Sequence, residues 1–512
     1  MIKKILYRGA LAAMLLISVT GCRPDAPEDV LQNFSLVLNS SGYAPLSALL
    51  RFSTVDPVTL TIHVEGKHGP ESDVTHTYIE PAQFWSVPVL GLYADHANLV
   101  TLTVRNTANE LLAREEIVLE TEPLIADLPG ITIDQKHTNG QNQLYLVNYF
   151  GFAQGGDFSP QRPFIFDQFG DIRWYLDFTN HPFLNTLFYD NGLTILQNGN
   201  FIMGDVNTGS LYEINYVGGL IDTWSLNGYE FHHHVIEKPN GNFLVTVSDP
   251  AKATVEDVII EISRLGKSIV NTWDLNQSLD NQRRAWPTDL ADLEEDWFHG
   301  NGLAFDESDN SIIVSGRTQG VVKLSSNNVV QWILAPHREW NEPGGKDLTA
   351  SLLQPLDAGG SPITDASVLD GATHHPDFEW SWYQHSPIIL PDGDLMLFDN
   401  GDNRNYTGNE LYSRAVTYRI DEANKTIQQR WQYGKEKGEE TYSRIVSKVN
   451  YYEADQSVLF TPGAINFQGQ VQGKLIEVGY QSNQKQFEAT VVPPDAVFNI
   501  SFHNARRISF YP

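Results

Sequence analysis

Between Phe34 and Leu119, apolar and polar positions alternate in short runs: Ser47–Ser53, Val58–Val64, Asn98–Val104 and Glu116–Glu120, with turn-forming residues between them. A period of two puts every second side chain on one face of a pleated strand, so these runs predict a small β-sandwich. Tyr43–Leu46 and Val87–Tyr93 are richer in apolar residues, and are predicted to fill its core or dock it onto the next domain. The histidines of this region, His63, His68, His76 and His96, are scattered through strands and loops and read as structural or solvent-facing.

Past a linker around Thr121–Gly130 the pattern repeats on a longer scale. One half-unit is a turn leading into an apolar strand, at Gln197–Met203, Pro239–Val245, Ser308–Val314, Pro391–Leu397 and Ala454–Phe460. The other is a turn, a β run and a tryptophan, at Gly170–Trp174, Gly219–Trp224, Gly266–Trp273, Asn328–Trp332 and Thr426–Trp431, with a sixth copy, Gly473–Val478, that lacks the tryptophan. Units of roughly 40–50 residues built from short strands are the mark of a β-propeller with one four-stranded blade per unit. Six copies predict six blades. A β-sandwich array is the alternative, and the aromatic recurring at a similar place in most units favours the propeller. Pro336–Glu379 interrupts the spacing and is predicted as a loop excursion on one face, set to cover the channel mouth. Asn499–Phe510 reads as a strand pair placed to close the ring against the first blade.

The chain has 512 residues, enough for two domains, with 63 acidic against 34 basic side chains and a net charge of −29. That balance excludes a nucleic-acid surface, because phosphate contacts need clustered cations. The one cysteine, Cys22, rules out an intramolecular disulfide. It ends a secretory signal: Lys3, Lys4 and Arg8 form the charged start, and Ala10–Val19 the apolar middle, too short to span a bilayer. Val19–Cys22 resembles a bacterial lipobox, which makes Cys22 the lipidated first residue of the mature protein. An ordinary cleaved signal or a retained anchor are the alternatives. The expected organisation is thus a signal peptide over 1–22, a tether over 23–33, a sandwich over 34–125 and a propeller over 126–512. The expected location is the periplasmic side of a bacterial membrane, held by a lipid anchor.

Candidate chemistry gathers at histidines just ahead of the first strand of three hairpins: His233 in Phe231–Val235, His299 in Asp296–Gly302 and His385 in Trp382–Ser386. In a propeller the equivalent position of each blade faces the central channel, so the three converge. Asn301 follows His299 by two, and Arg317 follows the partner strand and can return to the same mouth. Imidazole donors and a planar guanidinium predict an oxyanion site. Three histidines are also a zinc set. The arginine opposes a cation, and no carboxylate shares the histidines' register, so no metal or cofactor is expected. Asp399 and Asp402 read as members of a tight turn rather than calcium ligands.

With these residues in view, Asp296–Arg317, Tyr383–Arg404 and Ser413–Gly438 strongly resemble the bacterial arylsulfate sulfotransferases that use no nucleotide sulfate donor. Tyr43–Leu46 and Val87–Tyr93 extend the resemblance to nearly the whole mature chain. It implies an all-β fold, a six-bladed propeller behind a small β-sandwich. It also implies transfer of a sulfuryl group from an aryl sulfate to a phenol, with ping-pong kinetics through a sulfated histidine. By motif, His385 is the nucleophile, and His299, Asn301 and Arg317 hold the sulfuryl oxygens. His233 matches a further site histidine and would be general acid and base, its register uncertain by one within His232–His234. Family members often carry a disulfide near the site, which this chain cannot form. Trp382, Tyr383 and Phe298 are candidates to bind the phenol ring. A partner-binding propeller and a metal-dependent hydrolase remain rival classes, and a homodimer is left open.

Overall fold

The computed structural model describes residues 6–7, 30–138, 143–153, 162–187, 190–341, 345–494 and 498–511. The lipobox with Cys22, and the tether up to residue 29, lie outside the described residues. Among those described, no helix is long and apolar enough to cross a membrane.

The amino-terminal β-sandwich is organised by two long antiparallel strands, Ala48–Val64 and Val74–Val89. The first half of Ala48–Val64 pairs with Gln32–Leu38, and its second half with Ala97–Asn106, so one bent strand serves two layers. Alternation along it buries Leu50, Phe52, Val58, Leu60, Ile62 and Val64. This core runs without a break into the first propeller blade. Polar contacts fix the join. The Arg173 guanidinium donates to Gly91 O, Asp177 N to Tyr43 O, and the His68 Nε2 lies 2.7 Å from Asp171. His76 stacks on Tyr511 at 4.5 Å, so two of the scattered histidines are structural contacts between domains.

The remaining described strands form six sheets, each built on a four-stranded antiparallel blade with its innermost strand on the channel. The turn half-units fall between first and second strands of the second to sixth blades. The first blade lacks that turn for a topological reason: its innermost strand, Phe498–Ile508, comes from the carboxyl terminus. The tail is therefore one long strand, not the expected pair. The ring is also latched by Gly130–Gln135, which pairs with Lys485–Val492 on the outside of the sixth blade.

The tryptophan half-units lie on the fourth strands, and each indole reaches the turn between the third and fourth strands of the next blade. Trp174 donates to Tyr216 O (2.6 Å), Trp224 to Arg264 O (2.8 Å), Trp273 to Ser325 O (2.8 Å), Trp332 to Glu422 (2.9 Å) and Trp431 to Asn483 (2.7 Å). A buried ring with one polar tip suits a seam between blades. The sixth copy was misplaced: Gly473–Val478 lies on a third strand, Gln470–Gly479, because the short strand Ile465–Phe467 lengthens that blade. Its fourth strand carries Phe487, stacked at 4.4 Å on Tyr145 of the first blade.

The Pro336–Glu379 excursion does not behave as a simple cover. Its strand Gln354–Leu356 adds in parallel to Thr426–Gln428 on the outer edge of the fifth blade. The segment that meets Tyr383 and Asn403 beside the site is instead the connection before the fourth blade, through Pro287 O.

Candidate active site

Four of the innermost strands break their ladder register where they meet the channel: between Phe231 and Val235, Gly300 and Gly302, His385 and Ile388, and Phe502 and Asn504. A bulge adds a residue to one strand and re-aims its side chain. His233, Asn301 and His503 sit in these breaks, and His385 borders one. His233 (φ 55°), His299 (φ 53°) and Ser386 (φ 56°) are left-handed, a conformation of order 1–3 kcal/mol for residues with a Cβ, sustained here by surrounding packing. At the second blade the backbone itself lines the channel beside His233. Gly192 (φ 59°) passes so close that a Cβ would lie 2.6 Å from His233 O.

His385 is buried and its two ring nitrogens have different partners. Nδ1 lies 2.8 Å from Asn400 Oδ1 and 3.1 Å from Tyr383 O. The Asn400 amide donates to Ser443 O and Val446 O, which fixes its oxygen toward the histidine. Both neighbours of Nδ1 are acceptors, so Nδ1 carries the proton and Nε2 presents a lone pair. Nε2 faces the Asn301 amide at 3.2 Å, which also donates to Gln384 O. Burial lowers the His385 pKa to about 3, with Asn400 opposing, so the ring is neutral.

His299 is set up the opposite way. Its Nδ1 pairs with Glu256 and lies 2.9 Å from Asp296. Burial opposes a charge there, but the carboxylates outweigh it and raise the pKa to about 9. Its Nε2 lies 2.9 Å from His233 Nε2. On the far side, His233 Nδ1 is 2.8 Å from Asp190, and burial holds His233 well below the usual imidazole range against that carboxylate. Asp190 would be raised by burial, yet His233, His503 and His232 keep its pKa far below the ordinary carboxylate value. Arg317 Nη2 donates to Asp296 at 2.9 Å, its backbone N–H to His299 O, and its Nε has no hydrogen-bond partner among the described residues.

The fold thus brings His233, His299, Asn301, Arg317 and His385 together. The His233 and His385 ring centroids are 6.3 Å apart. Within the triple-histidine run, His233 faces the other two; His232 turns to Glu256 at 2.8 Å, and His234 Nδ1 accepts from Leu303 N. One expectation fails: carboxylates do share the site. Asp190 and Asp296 come from connections between blades and Glu256 from the loop between the second and third strands of the third blade, where strand register carries no information about them. They back the cations, so the site is an internally neutralised network rather than a bare cationic patch. His503, 4.8 Å from His233, was also missed; its signal was its place in the closing strand. Three groups, His232–His233–His299, Asp190–His233–His503 and Glu256–Asp296–His299, have donor atoms close enough for a metal. Asp399 is a buried hub for Arg404 and Arg414, and Asp402 pairs with Arg444. Trp382, Tyr383 and Phe298 are buried core and offer no ring-binding face.

Fold and site define a β-propeller enzyme whose polar machinery is concentrated in its channel. Residues 131–496 match the arylsulfotransferase (ASST) family model and residues 35–122 the arylsulfotransferase Ig-like domain. The chain belongs to the arylsulfotransferase family and is a sulfotransferase enzyme, which sets aside a purely binding propeller. It is 30% identical to arylsulfate sulfotransferase AssT of Lelliottia amnigena, over 97% of this chain and 99% of that one. It is equally 30% identical to the protein of the same name from Escherichia coli O6:H1, over 96% of each chain.

Proposed function

We propose that the protein moves a sulfuryl group from an aryl sulfate ester to a phenolic acceptor by ping-pong kinetics through a sulfated His385. The observation that carries this reading is the fixed tautomer of His385: a neutral ring with its Nε2 lone pair toward the Asn301 amide. A neutral imidazole is a competent nucleophile. In the first half-reaction an N–S bond forms at Nε2 as the ester S–O bond breaks, and the leaving phenolate takes a proton. In the second, the acceptor oxygen forms a new S–O bond as the N–S bond breaks, and the acceptor's proton returns to the site. The His299–His233 pair is the proton store, and Asp190 and Glu256 hold its two ends. Arg317, whose Nε has no hydrogen-bond partner among the described residues, and the Asn301 amide hold the sulfuryl oxygens, where charge stabilisation contributes most to such transfers.

The aryl group needs an apolar recess. A cavity of about 590 Å³ lies where the first, fifth and sixth blades meet, lined by Phe152, Leu411, Ile445, Ala464 and Val471, with Tyr442 and Arg444. It includes Ser501, two residues from His503 on the same strand. A single ring fits such a volume. The lipobox at Cys22 supports export and a lipid anchor on the periplasmic side of the membrane.

The test is rapid-quench kinetics with 4-nitrophenyl sulfate and no acceptor, comparing wild type with His385→Ala. One nitrophenol per protein chain, an acid-labile sulfate on His385, turnover only after phenol is added, and no burst in the variant are expected. A burst that survives His385→Ala removes His385 as the nucleophile.

A further inference from the structure

His385 is followed on its strand by Ser386, His233 by His234 and His503 by Asn504, and these second residues line a small space together with Lys448. Innermost strands of a propeller run in one direction, so this is the next level down the channel. The space measures about 30 Å³, too small for a ring and suited to one or two oxygen-sized atoms. His385 and Asn301 form its other walls, so it adjoins the nucleophile.

Lys448 begins the innermost strand of the sixth blade, Lys448–Tyr452. Its backbone is held by Thr461, whose hydroxyl donates to Lys448 O at 2.8 Å. The next residue, Val449, meets Ser386 Oγ through both its N–H and its carbonyl. Val446 (φ 52°) and Ser447 (φ 88°) just before it are left-handed, so the backbone bends to present this residue. Lys448 is half-buried, and the two fully buried lysines have carboxylate partners: Lys238 has Glu261, and Lys323 has Asp306, Asp309 and Glu422. Among the described residues no carboxylate pairs with Lys448, and the charged neighbour that bears on it is Arg506, another cation whose Nε has no partner. A half-buried ammonium beside a cavity, with no carboxylate among the described residues to pair it, favours the arrival of an anion.

We infer that Lys448 is a further catalytic residue: its ammonium takes a sulfuryl oxygen from the deeper side of the channel while the group is bonded to His385. This rests on the sulfohistidine reading above. Arg317 and Asn301 then hold the group from the mouth side, and the substrate's own anion supplies the missing partner of Lys448. Burial, with Arg506 adding to it, lowers the Lys448 pKa to about 7, so the free enzyme loses this cation as pH rises through neutrality. The titratable and charged groups facing it are His233 and His234 on the third blade, His385 on the fifth, and His503 and Arg506 on the closing strand, with Asp190 behind His233 and His503. His234 and His385 are held near 3, below the window concerned.

The experiment is the pH profile of kcat/KM and of the acceptor-free nitrophenol burst for wild type, Lys448→Met and Lys448→Arg. At pH 7 Lys448→Met is expected to lose roughly 100-fold in both burst rate and kcat/KM. Lys448→Arg is expected to recover most of this, and to remove the decline of kcat/KM that sets in around pH 7, because a guanidinium stays charged. Lys448→Met within threefold of wild type, or a decline unchanged in Lys448→Arg, overturns the assignment. A Met variant that fails to fold leaves the Arg profile to decide. A wild type that forms no sulfohistidine refutes the reading beneath it instead, and is seen in the wild-type burst alone.

Discussion

His233 and His299 meet Nε2 to Nε2 at 2.9 Å, so two imidazoles share one proton. Their outer nitrogens are held by different carboxylates, Asp190 on one side and Glu256 with Asp296 on the other. The carboxylates on His299 win against burial and those on His233 do not, which places the proton on His299. This asymmetry sets an acid beside His385, the proposed nucleophile, which stays neutral.

The charge on His299 has a pH signature. Its pKa is raised from 6.5 to about 9, so its contribution to stability is complete below pH 6.5 and is lost as pH rises through 9. Substrate-saturated kcat, where the sulfuryl anion keeps Lys448 charged, is expected to fall over the same window. His299→Gln should lower kcat by roughly 100-fold and erase that limb. A limb near pH 9 that persists in His299→Gln assigns it to another group.

Asn400 fixes the tautomer of His385, and its effect should be kinetic. Asn400→Leu removes the acceptor at Nδ1, and is expected to lower kcat by roughly 100-fold or more with little change in KM. Equal kcat in the variant, measured under saturating donor and acceptor, would show that Tyr383 O alone suffices.

The inter-blade latches are matters of stability, not chemistry. Trp273→Phe removes the indole N–H and leaves Ser325 O without its donor, at a cost of about 1–2 kcal/mol. Urea denaturation should show a lower midpoint with an unchanged slope, while transfer rates per folded molecule stay at wild type.

The clustered donors around His299 invite a chelator experiment. In the network described, Glu256 and Asp296 already hold His299, and the proton occupies the place a cation would take. Transfer activity is expected to be the same with and without EDTA. Loss in EDTA with recovery on added zinc would favour a metal-assisted hydrolase.

The proposed lipid anchor is expected to be separable from catalysis. Cys22→Ser is expected to move the protein from the membrane fraction to the soluble periplasmic fraction and to abolish incorporation of labelled fatty acid, with transfer activity unchanged. A variant that stays in the membrane fraction argues for a retained apolar anchor.

Local pattern alone specified the strands, the repeat and the mouths of the hairpins, because β alternation and turn chemistry are properties of neighbours in the chain. His233, His299 and His385 were legible for that reason: each sits at the start of a repeat unit, and the repeat itself implies a common axis. Arg317 was legible as the residue that ends the partner strand of His299. The tertiary structure alone decided the protonation of these groups. Asp190, Glu256 and Asp296 reach the site from irregular connections, where no period marks a direction. Asn400 reaches His385 across a hairpin, and His503 arrives only when the carboxyl-terminal strand closes the ring. Nothing in the sequence around Lys448 marks it; the closed ring decides which wall it lines and leaves it with no carboxylate partner among the described residues. Charge state depends on burial and on neighbours distant in the chain, so it belongs to the closed ring and not to any one segment.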